Sequence, residues 1–256
     1  MKSPQHCSKR STAAGMTLME LLIAMALTSL LLLGLVQVVA AAGSAARFQN
    51  NQGQLAENSR YAIELLRGTV RQAVFSPLPW DDGADTPGIT ESTMDAAAHG
   101  SDRLVIRSWS DLNCFNNRNP VQNAEGAPRF FLRESTFDLT GSKNLAHGCK
   151  YGPSADDMTT QIQRQGIISG VDSFQLLFGE DADGDGDIER WVHAGQWLDR
   201  DHILAVRVGI LLASEEAVSE HGADEYAVLD TRFRPRGSGK LRRLVQFTTA
   251  IKGKTG

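Results

Sequence analysis

The stretch Lys9-Arg10-Ser11-Thr12-Ala13-Ala14-Gly15-Met16-Thr17-Leu18-Met19-Glu20-Leu21-Leu22-Ile23 opens the segment that decides the fold. Glu20 is a lone carboxylate at its head, because no other charged residue occurs from Leu21 to Ala46. A charge in a membrane helix costs about 2.5–3.5 kcal/mol on insertion scales, so by default it marks function and has a partner. The bland alternative is a boundary carboxylate that snorkels to the headgroups. From Leu21 to Ala42 only Thr28, Ser29, Gly34 and Gln37 interrupt the apolar run, which suffices for the ~20 residues that span a bilayer. Lys2, Lys9 and Arg10 precede the run, and no basic residue follows it until Arg47. That asymmetry predicts a single pass with the N-terminus inside and the C-terminus outside. A secretory signal peptide would carry its apolar core before the cleavage site and lose it. Here the candidate site after Gly15 precedes the core, so the mature chain would keep it.

A short basic leader, a Gly, and an apolar start with an acid at its fifth residue together resemble the type III signal of type IV pilins and type II secretion pseudopilins. The resemblance implies that residues 1–15 are a leader. A prepilin peptidase would cut between Gly15 and Met16 and methylate the new Met16 amine. It also implies that Glu20 serves subunit assembly. The carboxylate would pair with the N-terminal ammonium of a neighbouring subunit, neutralise two charges in an apolar setting, and so set axial register. Met16 stands where the family usually has Phe.

No Pro occurs between Met16 and Ser76, so residues 16–75 are expected to form one helix, hydrophobic and then amphipathic. Phe48, Leu55, Ala62, Leu66, Val70 and Ala73 recur at helical spacing and predict one buried face. Ser76-Pro77-Leu78-Pro79 stops the helix. The first half would lie in the membrane or filament core, and the second would cover a sheet. A coiled-coil partner helix is the alternative.

Within this helix, Gln54-Leu55-Ala56-Glu57-Asn58-Ser59-Arg60-Tyr61-Ala62-Ile63-Glu64-Leu65-Leu66 is similar to the segment that follows the membrane helix in PilW-type minor pilins. Three later segments continue the similarity: residues 100–107 (GSDRLVIR), 170–179 (GVDSFQLLFG) and 241–249 (LRRLVQFTT).

Residues 76–256 are long enough for one sizeable β-rich head, expected in the periplasm. A net charge of −4 implies no strong nucleic-acid field. Strand-like runs lie at Arg103–Trp109, Arg129–Arg133, Gln163–Ile168, Val171–Phe178, Glu189–His193, Ile203–Ala213 and Leu241–Ile251. Phe174, Leu176 and Phe178 alternate, as do Val206, Val208, Ile210 and Leu212, which suits strands with one buried face. The fold class is therefore α+β, a long pilin helix packed on an antiparallel sheet.

Of the three cysteines, Cys7 would leave with the leader. Cys114 and Cys149 remain, and the periplasm that the resemblance implies oxidises thiols. A bridge between them would be worth about 4 kcal/mol in the chain-entropy model; two free buried thiols are the alternative. No CxxC or HxxxH pairing points to zinc.

Asp181-Ala182-Asp183-Gly184-Asp185-Gly186-Asp187-Ile188-Glu189 matches the first half of a calcium loop. Val192 stands where an EF-hand needs its bidentate Glu, so that reading fails. A shorter calcium loop is expected instead. Asp181, Asp183 and Asp185 would be its ligands, and Asp187 or Glu189 would complete the shell, since four clustered Asp repel one another without a cation. The alternative is a solvated Asp-Gly turn. PilW-type proteins often carry a similar loop at this place.

Arg232, Arg234, Arg236, Lys240, Arg242 and Arg243 crowd one short run, read as a charged hairpin turn centred on Gly237-Ser238-Gly239 rather than a nucleic-acid or phospholipid site. There is no P-loop, no G-x-S-x-G elbow and no H-E-x-x-H helix, and the histidines show no ligand spacing. No enzyme is expected and no cofactor is required, with calcium the one candidate.

The resemblance therefore implies a minor pilin that helps initiate or tip a type IV pilus. Its partners would be other minor and major pilins, the prepilin peptidase and the inner membrane, with no nucleic acid. A minor pseudopilin of type II secretion is the nearest rival. A calcium-dependent adhesin or DNA-uptake pilin is the third class.

Overall fold

The computed structural model describes residues 15–73, 75, 87–98, 100–119, 129–218, 224–235 and 239–251. The leader with Cys7 and the helix-stopping Ser76-Pro77-Leu78-Pro79 lie outside these residues. A helix of 54 residues, α1 (Leu18–Arg71), comes first. The chain divides into two compact units, Met1–Phe48 and Gln49–Gly256.

In the first unit, Leu21, Leu22, Ile23, Leu30, Leu31, Val36 and Val39 are all exposed. So much bare apolar surface needs lipid or other helices around it. The helix is long and apolar enough to cross a membrane by length and composition. Its few hydroxyls are satisfied internally: Thr28 donates to the Ala24 carbonyl at 2.6 Å and Ser29 to Ala26 at 2.9 Å. Neither therefore opposes burial in hydrocarbon.

In the second unit, α1 buries Asn51, Leu55, Ser59, Ala62, Leu66 and Val70, which recur every three or four residues. The expected stripe holds from Leu55 onward, but Phe48 is 44% exposed. Two polar residues, Asn51 and Ser59, share the buried face. Ser59 can do so because its hydroxyl donates to the Leu55 carbonyl at 2.5 Å. The helix gives way to a turn at Gln72 and Ala73, whose N–H groups bond Thr69 and Val70.

Twelve strands follow among the described residues: β1 (Gly88–Ile89), β2 (Met94–Ala98), β3 (Ser101–Ser110), β4 (Phe131–Leu139), β5 (Leu145–Gly152), β6 (Thr159–Ile168), β7 (Val171–Glu180), β8 (Arg190–Val192), β9 (Ile203–Ala217), β10 (Tyr226–Val228), β11 (Thr231–Phe233) and β12 (Lys240–Ala250). All described pairs are antiparallel. One sheet runs β1-β3-β4-β5-β6, with β2 added on β3, and the other runs β12-β9-β7-β8. The fold is α+β, as read from the sequence. Each of the seven strand-like runs overlaps a strand, whereas β1, β2, β5, β10 and β11 were not anticipated.

The helical stripe shares one core with Phe174, Leu176 and Phe178 of β7 and with Val206, Val208, Ile210 and Leu212 of β9. The opposite face of that sheet carries the β10–β11 hairpin. Gly209 makes room for it, since a Cβ there would meet Leu229 at 2.8 Å.

Gly237 and Ser238, at the centre of the expected charged turn, lie outside the described residues; among those described, β11 pairs with β10 and β12 with β9.

Candidate functional site

Glu20 sits in the first turn of α1. Its Oε2 accepts the Thr17 backbone N–H at 2.9 Å and the Thr17 hydroxyl at 3.0 Å, while the Glu20 N–H reaches back to the Thr17 hydroxyl at 3.3 Å. This is a capping box. Thr17-x-x-Glu20 is its signature and stands in the sequence, but the sequence reading passed over it. Gly15 and Met16 lie directly ahead of the cap, and Met16 is exposed.

The acidic loop joins β7 to β8, which pair from Phe178/Val192 to Glu180/Arg190. Carboxylate oxygens of Asp181, Asp183, Asp185 and Glu189 lie within 4.8 Å of one another. Asp187 falls outside this group; its N–H donates to Asp185 at 2.9 Å. Asp181 is buried, and its two oxygens accept the N–H groups of Gly184 and Gly186 at 2.5 and 3.0 Å. Burial raises its pKa, but those N–H bonds, Gly186 first, outweigh it and hold the carboxyl below its ordinary range.

The loop stands on Glu180, which is fully buried. Burial pushes this carboxyl up, yet the Asp199 N–H at 2.9 Å, the Arg190 guanidinium at 2.8 Å and the Leu198 N–H at 2.5 Å bring it below its usual value. Glu180 therefore ties the segment before the 3-10 turn Arg200–His202 to the root of the acidic loop.

Cys114 and Cys149 form a disulfide with an S–S distance of 2.02 Å and Cα atoms 6.0 Å apart. It anchors the segment after β3 to β5, the strand next to the outermost β6 in the first sheet. Of the clustered cations, Arg232, Arg234, Lys240 and Arg243 are exposed, while the Arg242 side chain is buried and pairs with Asp172 at 2.9 Å. Lys143 reaches the other oxygen of Asp172 at 2.5 Å.

One cluster was not foreseen. Asp102 of β3, 2% exposed, accepts the N–H of Ala96 at 2.8 Å and the N–H of Leu176 at 2.7 Å. Burial, aided by nearby Asp95, raises it to about 6 against those two bonds. His193 lies 3.5 Å from Asp95 and 2.9 Å from Asp230. These residues come from β2, β3, the end of β8 and the β10–β11 turn, so no local spacing could have announced them. They join the two sheets.

The family model described as "Type IV Pilus-assembly protein W" matches residues 141–252, and the prokaryotic N-terminal methylation motif matches residues 10–36. No curated protein matches the chain. Among solved structures, a type IV-like pilin from Thermus thermophilus is similar at 12% identity with a TM-score of 0.48, covering 77% of this chain and 96% of that one. The methylation motif spans Gly15, Met16 and Glu20, and the Pilus-assembly W match spans β5 through β12. Residues 141–252 are thus similar to the Pilus-assembly W family and residues 10–36 to the methylation motif, two matches that together support a PilW-type pilin.

Proposed function

We propose that this pilin is a structural subunit of the complex that initiates or tips a type IV pilus, working by assembly rather than catalysis. The observation that carries the reading is the exposed apolar helix with one carboxylate, Glu20, just inside its cap. After a cut between Gly15 and Met16, the methylated ammonium would sit just ahead of the helix, which begins at Leu18. Glu20 keeps Thr17 on Oε2, which leaves Oε1 to face the ammonium of a neighbouring subunit. The head would lie in the periplasm and meet other minor pilins. Replacing Glu20 with Ala at native expression tests the reading. The variant should insert normally but leave cells with at least tenfold fewer pili. Normal piliation would contradict it. A pseudopilin role predicts instead that secretion fails while pili persist.

A second reading concerns the acidic loop. The gathering of Asp181, Asp183, Asp185 and Glu189 within 4.8 Å supports calcium there, because a divalent ion would relieve their mutual repulsion. Calorimetric titration of the full chain in detergent should show calcium binding that raises the melting temperature. Magnesium should bind poorly, and Asp183→Ala/Asp185→Ala should bind neither. No heat and no melting shift at millimolar calcium would reduce the loop to a turn.

A further inference from the structure

We propose that the free edge of β12 accepts an extended, acidic segment of a neighbouring pilin subunit as an added strand. The identity of the neighbour rests on the pilus reading, while the edge rests on backbone and charge. β12 is outermost in its sheet, and among the described residues only β9 pairs with it. The Ile251 N–H donates to the Leu204 carbonyl at 2.8 Å, which fixes the parity of the ladder. Odd-numbered residues bond β9, so the amides and carbonyls of Leu244, Gln246, Thr248 and Ala250 point outward. The same alternation governs β7, where the outward N–H groups of Phe174 and Leu176 are capped by Ser101 and Asp102. The outward N–H groups of β7 are met by side chains, whereas among the described residues no strand pairs with the outward edge of β12.

Natural edges are blunted by bulges, prolines, charges or brevity. The only register shift in β12 lies between Lys240 and Arg242, and pairing continues without a bulge to Ala250. Leu244-Val245-Gln246-Phe247-Thr248-Thr249-Ala250 contains no charge and no Pro, and its β-branched and aromatic residues suit a strand. Such an edge is a template for strand addition.

Charge selects the occupant. The Arg67 guanidinium lies 5.6 Å over the Phe247 ring, which sets that flank of α1 beside β12. At 100° per residue, Arg60 and Arg71 fall on the same flank; Glu64, about 20° beyond Arg71, pairs with Arg60 at 3.9 Å, so Arg67 and Arg71 carry the net charge of this flank. Arg60, Arg67, Arg71 and Arg243 are all exposed. A strand added to β12 would run beside this arginine row, so its carboxylates would be matched and lysines repelled. The whole chain is net negative at −4, so the local excess of cations is a property of this edge.

The test is in-cell photo-crosslinking of the full chain, with the crosslinker at Leu244 or Thr248 and a control at Gln165 on β6. The expected product joins β12 to another pilin, and mass spectrometry places the adduct in an extended segment containing Asp or Glu. Thr248→Pro removes an outward N–H and the hydroxyl that accepts the Arg207 guanidinium at 3.4 Å, and it leaves the ladder to β9 intact. It should cut the Leu244 adduct at least tenfold while Cys114–Cys149 still forms. Arg67→Glu/Arg243→Glu should weaken the adduct without touching the backbone. Adducts confined to lipid, to helices or to segments without acids would overturn the proposal, as would indifference to both variants. No adduct in pili that contain the protein would sink the edge and spare the pilus reading; absence of the protein from pili would take both down.

Discussion

Asp102 is held by geometry that opposes its own charge. Its carboxyl is 2% exposed, lies near Asp95, and still caps two backbone N–H groups from different sheets. Because the folded state raises its pKa from 3.8 to about 6, the folded chain binds that proton more tightly than the unfolded chain does. The stabilisation is fully present below the unfolded value and is lost as pH rises through about 6. In Asp102→Asn one acceptor is missing, which costs about 1–3 kcal/mol for an unsatisfied buried N–H, and the titration is gone. Urea unfolding of the full chain in detergent, followed by tryptophan fluorescence, should show the wild-type advantage largest near pH 4 and smaller at pH 7. A gap that stays constant or widens would contradict this account. Glu20 makes the opposite case at this scale. Among the described residues its side-chain partner is the local Thr17, so Glu20→Ala should leave the head's unfolding midpoint unchanged and alter assembly only.

The second half of α1 is stabilised by what it covers. Leu66 is fully buried and Phe48 is 44% exposed, although the sequence places both on one stripe. Leu66→Ala should therefore destabilise the head by about 2–5 kcal/mol, whereas Phe48→Ala should leave its unfolding midpoint nearly unmoved. Cys114→Ser should lower the midpoint by an amount equivalent to about 2–4 kcal/mol, and thiol labelling of the unreduced wild type should find both cysteines blocked. The long strands were legible because β7 and β9 alternate apolar residues over one core face. β5 was not, because Leu145-Ala146-His147-Gly148-Cys149-Lys150-Tyr151-Gly152 shows no such alternation and takes its order from partners on both sides. β1, β10 and β11 are two or three residues long and form by pairing rather than by pattern. The acidic loop was legible as a local run, but Asp187 was assigned to it by spacing and geometry leaves it out. The Asp95–Asp102–His193–Asp230 cluster is a product of tertiary structure alone.

At the scale of the whole molecule, the chain combines an apolar helix that cannot remain bare in water with a head that has its own core. The helix calls for a membrane before assembly and for other helices after it. Among the described residues, the head's second sheet ends at β12 with no further strand on that edge. Under the proposed function, this chain leaves the membrane as a processed component of the fibre. The most direct test is to shear and purify pili and to analyse this protein in them by N-terminal mass spectrometry. The account predicts a chain that begins at methylated Met16 in wild-type pili and is absent from fibres of Glu20→Ala cells. Finding it only in the membrane fraction of piliated wild-type cells, or with residues 1–15 still attached, would contradict the account.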